Sequence, residues 1–100
     1  MKENKTETKE IQIAFPEHLR SGVYCNNMVV SHTKEEFIMD FMMIAPPAST
    51  VTARVIMSPG HMKRTVAALK SNLERYEQKI GAISEAPEPT DKGSIGFHKA

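Results

Sequence analysis

Ser58-Pro59-Gly60-His61-Met62-Lys63-Arg64-Thr65-Val66-Ala67-Ala68-Leu69-Lys70-Ser71-Asn72-Leu73-Glu74-Arg75-Tyr76-Glu77-Gln78-Lys79-Ile80-Gly81 reads as one amphipathic helix with both ends marked. Ser58 is a good N-cap, and Pro59 suits the first helical position, where no N–H is required. Met62, Val66, Leu69, Leu73, Tyr76 and Ile80 recur at alternating four- and three-residue steps and form one apolar stripe. Gly81 suits the stop, because glycine alone enters left-handed backbone at no steric cost. The helix follows a strand-rich region, so its stripe is expected to cover one face of a sheet.

Working back from the helix, Thr50–Met57 is rich in β-branched residues and reads as a strand. Pro46-Pro47-Ala48-Ser49 separates it from a strand over Phe37–Ile44. Lys34-Glu35 turns the chain into a long strand over Val23–Thr33, and Pro16–Gly22 is a connection with one helical turn around Glu17–Arg20. Ile11–Phe15 alternates and ends at a proline, as an edge strand does. The fold class predicted is α+β: a four-stranded antiparallel meander covered on one face by a single C-terminal helix. The single domain is expected over residues 11–83. The flanking segments 1–10 and 84–100 hold too little apolar surface to repay the entropy of ordering.

Alternation also sorts the sheet into two faces. Phe37, Met39, Phe41 and Met43, with Val51, Ala53, Val55 and Met57, make an apolar face for the helix. Ile38, Asp40, Met42 and Ile44, with Thr52, Arg54 and Ile56, make a mixed one. The preceding strand is expected to add Tyr24, Asn26, Met28, Val30 and His32 to the mixed face. A single helix shelters one side only, so a second copy is expected on the other. The candidate dimer interface is Tyr24, Asn26, Met28, Val30, Ile38, Asp40, Met42, Arg54 and Ile56. The plainer reading is a twisted sheet with scattered exposed apolar side chains.

Composition narrows the function classes. A hydrophobic fraction of 40%, a charged fraction of 25% and a net charge of +1 describe an ordinary globular chain with a weak electrostatic footprint. No apolar run approaches the roughly 20 residues a membrane helix needs. The polar, charged Met1–Glu10 does not resemble a secretory signal. The single cysteine, Cys25, fits a reducing cytoplasm.

Few residues suggest chemistry. Asp40 and Arg54 stand at matched distances from the Pro46-Pro47 turn and suit a cross-strand ion pair. The alternatives for it are a contact that fixes dimer register and an ordinary surface pair of little net worth. His61, Lys63 and Arg64 crowd the first helical turns, where positive charge opposes the helix dipole but, with free N–H groups, suits an anion. A solvated polar face is the plainer alternative. The four histidines, His18, His32, His61 and His98, have no zinc-type spacing, and Cys25 has no companion thiol. No phosphate loop, nucleophile elbow or dinucleotide fingerprint is present, so neither a catalytic residue nor a cofactor is expected. Ile95 and Phe97, near the end of a polar segment, suit a short docking motif, and inert tail residues are the plainer alternative.

Several segments together carry a family resemblance. They are Ile11-Gln12-Ile13, Gly22-Val23-Tyr24-Cys25-Asn26, Glu36-Phe37-Ile38-Met39-Asp40-Phe41 and Ala53-Arg54-Val55-Ile56-Met57-Ser58-Pro59. His61, Lys63-Arg64, Ala68-Leu69, Asn72, Tyr76-Glu77 and Gly81 continue the pattern. Over residues 11–83 the chain resembles the small proteins grouped as domain of unknown function 3467. The resemblance brings no activity, catalytic residue or cofactor with it. The order of strands followed by a helix is also similar to that of Whirly and Pur-type single-strand nucleic-acid binders, an analogy of fold order alone.

Two functions are therefore expected as alternatives. The first is a cytoplasmic homodimeric interaction module that is not an enzyme. The second is a nucleic-acid-binding or transcription-associated accessory protein. In the second, Tyr24 stacks a base while Arg54, His61, Lys63 and Arg64 meet phosphate.

Overall fold

The structure is a computed structural model describing residues 9–89 and 95–100. Three strands, β1 (Asn27–His32), β2 (Phe37–Met43) and β3 (Thr50–Met57), form an antiparallel sheet in the order β1-β2-β3. The helix α1 (Pro59–Lys79) follows. A short 3₁₀ turn at Glu17–Leu19 precedes the sheet, inside the connection where a helical turn is predicted.

The turns explain the register. Thr33 N–H donates to the Glu36 carbonyl at 2.9 Å, and Thr33 Oγ1 accepts from the N–H groups of Glu35 and Glu36. This hydroxyl-braced turn sets His32 opposite Phe37. Between β2 and β3, Ala48 N–H donates to the Ala45 carbonyl and Ala45 N–H to Ser49 Oγ, around a cis Pro46-Pro47 peptide. The β2–β3 ladder carries a bulge: Phe41 faces Ala53 but Met42 faces Val51, leaving Thr52 as the extra residue. Thr52 Oγ1 donates to the Phe41 carbonyl at 3.2 Å and so satisfies an acceptor at the break.

Four features depart from the sequence expectations. The sheet has three strands rather than four, because Ile11–Phe15 joins no ladder. Ile11 and Ile13 stand 81% and 82% exposed: alternation prepares a strand, but only a neighbouring edge makes one. The strand expected over Val23–Thr33 begins at Asn27. There the Asn26 side chain takes over pairing, with Nδ2 donating to the Ile44 carbonyl at 3.0 Å and Oδ1 accepting from Ile44 N–H at 2.8 Å. The bulge moves Val51 opposite Met42 and onto the mixed face.

The fourth departure concerns the helix. Its ends are as expected: Ser58 Oγ accepts from His61 N–H at 3.2 Å, and past Ile80 the chain turns through Gly81 at φ +148°. Yet it does not lie on the sheet. None of its residues is buried, and Val66, Leu69, Leu73, Tyr76 and Ile80 are all exposed. Ser58 alone, in extended backbone, separates Met57 from Pro59. That link is shorter than the two to six residues that usually turn a strand into a packed helix. The helix therefore runs on from the sheet, touching it near its start, where Thr65 Oγ1 lies 3.4 Å from Met57 Sδ.

The interior is correspondingly small. Among the described residues the buried side chains are Met39, Met42 and Asp40, all on the central strand. The radius of gyration is 18.6 Å, against about 13 Å for a compact chain of this length. The accessible surface is 9117 Å², where a compact monomer of 11.2 kDa has about 5,700 Å².

Candidate interaction surface

Cross-strand partners share a face, so the register assigns each side chain. One face carries Phe37, Met39 and Phe41, flanked by His32, Val30 and Met28 from β1 and by Met57, Val55 and Ala53 from β3. It holds no charged residue. The rings of His32 and Phe37 meet on it at 5.4 Å. The other face carries Ile38, Asp40 and Met42 with Ser31, Val29 and Asn27 on one side, and Ile56, Arg54 and Val51 on the other.

This corrects the expected face assignment of the first strand. Ile38, Asp40, Met42, Arg54 and Ile56 do share the mixed face, but Met28, Val30 and His32 lie on the apolar one. The braced turn at Thr33 shifts β1 by one residue relative to the expected pairing, and with a period of two a single step reverses the whole strand. Asn26 is spent on its clasp with Ile44. Tyr24, 80% exposed, precedes β1 and belongs to neither strand face.

The ion pair forms as the spacing suggests. Arg54 Nε donates to Asp40 Oδ1 at 2.6 Å and Nη2 to Oδ2 at 3.1 Å, a two-pronged contact that fixes the guanidinium plane. Exposure is uneven, 60% for the Arg54 side chain and 5% for Asp40. The carboxylate is roofed by the arginine and its strand neighbours rather than sunk in a deep core. The hydrogen bond from Arg54, aided by its charge, holds the Asp40 carboxyl below the usual carboxylate range despite partial desolvation. The same bond raises the Arg54 pKa.

The remaining candidates do not converge. His61, Lys63 and Arg64 are exposed on the first turns of α1, and one helix-start N–H there, that of His61, is already held by Ser58. The Arg54 guanidinium is engaged on the sheet. Cys25 is an exposed free thiol. Among the described residues no group of three or more His, Cys, Asp or Glu is placed to hold a metal ion, and no helix is long and apolar enough to cross a membrane.

Ile95 and Phe97 do find a place. They line a groove of about 420 Å³ at the bulged end of the mixed face, together with Met42, Ile44, Thr50 and Val51. A period-two reading shows their apolar character, but only the fold brings the tail to this end of the sheet.

The arrangement defines a small α+β protein with exposed apolar side chains on both its sheet and its helix. The chain belongs to the family described as Protein of unknown function (DUF3467), which matches residues 1–85. The groove-lining tail lies beyond the matched range. No curated protein and no solved structure matches the chain.

Proposed function

We propose that this protein is a homodimeric interaction module without catalytic chemistry of its own. One observation carries the reading: a single chain leaves the helix stripe exposed while it also leaves Met28, Val30 and Val55 of the apolar sheet face exposed. Exposed apolar surface of this extent marks a contact with another molecule. A second copy is always available to supply matching surface, and two-fold pairing is the commonest form of association. Sedimentation equilibrium of the full chain across a concentration series tests this. A dimer at micromolar concentration is expected, and a monomer at several hundred micromolar refutes it.

A second reading, nucleic-acid binding, draws on the exposed Tyr24 ring and on the exposed His61, Lys63 and Arg64. Phosphate contacts make affinity fall steeply with salt. Fluorescence anisotropy with a labelled single-stranded oligonucleotide decides it: no binding at low ionic strength removes this function.

A further inference from the structure

We infer that the two chains of the dimer pair through α1, antiparallel, about a two-fold axis at the level of Ser71. The inference rests on the homodimer reading and adds the surface and the register.

The stripe has a stricter period than a helix resting on a sheet requires. Met62, Val66, Leu69, Leu73, Tyr76 and Ile80 fall at steps of four, three, four, three and four residues. That is a 3.5-residue repeat, the seam of two supercoiled helices. It extends about 27 Å along the axis. Its flanks are polar, with Lys63, Lys70 and Glu77 on one side and Thr65, Asn72 and Lys79 on the other. A helix lying flat on a sheet buries a broader face than this, whereas a narrow seam leaves such flanks in water when it meets another narrow seam. In the single chain Leu69 and Leu73, at the middle of the seam, are 65% and 51% exposed.

The sequence also selects the direction. With the helices antiparallel and centred on Ser71, Met62 meets the second copy's Ile80, Val66 its Tyr76, and Leu69 its Leu73. All six seam residues then find a partner, large against small where Tyr76 is involved. The same register sets Lys63 beside Glu77 of the second copy, twice by symmetry. Glu77 Oε2 accepts from Ile83 N–H at 3.0 Å, and Oε1 is the oxygen offered to the lysine. Lys70 meets its own copy near the axis, where its long stem lets the charge turn to solvent. A parallel pair instead stacks Tyr76 on Tyr76, aligns the two dipoles unfavourably, and sets Thr65 against Lys70 and Asn72 against Glu77, with no ion pair.

Cross-linking of the full chain in a Cys25→Ser background tests the pairing. Antiparallel register brings Leu69 level with the partner's Leu73 but holds identical positions about 6 Å apart along the axis. L69C and L73C are therefore expected to form a disulfide-linked dimer when mixed and oxidised, and little when either is alone. Cross-linking of each variant alone, or none in the mixture while the protein still sediments as a dimer, overturns the helix pairing and leaves the homodimer standing. A monomer in sedimentation overturns both. The register has its own check: Lys63→Glu or Glu77→Lys is expected to weaken the dimer about tenfold, and the double exchange to restore it within about threefold. Failure of the double exchange to restore association overturns the register.

Discussion

Truncating the centre of the helix stripe, Leu69→Ala with Leu73→Ala, isolates the contribution of this surface to association. Full burial of a leucine side chain is worth about 1.5–3 kcal/mol. The exposed fractions, 65% and 51%, leave slightly more than one leucine's worth per chain for a partner to cover. Two chains double that, and alanine retains part of the area, so the loss is about 3 kcal/mol per dimer. The dissociation constant should then rise roughly a hundredfold. Folding of the helix is not the confounder it would be at a core position. Neither leucine is buried in the single chain, and alanine is the better helix former. Far-ultraviolet circular dichroism should be unchanged at concentrations where both proteins are dimeric, while sedimentation equilibrium shows the weakened association. A double variant that dimerises within threefold of the parent refutes the reasoning, since the stripe then contributes nothing to assembly.

Other predictions concern the sheet. Arg54→Ala removes the group that lowers the Asp40 pKa. A carboxyl lowered on folding stabilises the native state above its unfolded pKa of about 3.9, and that contribution is lost as pH falls through the lower folded value. The parent should therefore be more stable than the variant by denaturant titration at pH 7, and the difference should shrink at pH 2 to 3. An equal difference at both pH values contradicts the role given to the pair. Asn26→Ala deletes both bonds to Ile44 and should lower stability by about 1–2 kcal/mol, read as a lower denaturant midpoint at unchanged slope. Deleting residues 95–100 opens the groove at the bulge. Methyl resonances of Met42 and Ile44 should shift while that of Met39, on the opposite face, stays in place.

Local signals marked many of the elements in advance. Thr50–Met57 has the bounds that its β-branched run suggests, and Ser58, Pro59 and Gly81 mark a helix that ends within a residue or two of the expected place. Capping and turn chemistry act over three or four residues, so a linear reading contains what it needs. The Asp40–Arg54 pair was legible only in outline: the two residues stand at roughly matched distances from the turn, and the extra residue Thr52 at the bulge brings Arg54 opposite Asp40. The first strand was not legible, because the alternation of Ile11, Ile13 and Phe15 does not reveal whether an edge exists to receive it. Nor was the face of Met28 and Val30, since one step of register, set by the Thr33 hydroxyl in its turn, decides it.

By itself the order of residues determined that this chain makes an antiparallel sheet followed by one long amphipathic helix, because period, caps and breakers are properties of neighbouring residues. Only the tertiary structure decided that the helix leaves its sheet uncovered, since the packing of an apolar stripe depends on where the connecting backbone points. A single extended residue between β3 and α1 carries the stripe past the surface it matches in character. Burial is a relation between surfaces distant in sequence, and here the sheet and the helix of one chain do not satisfy it.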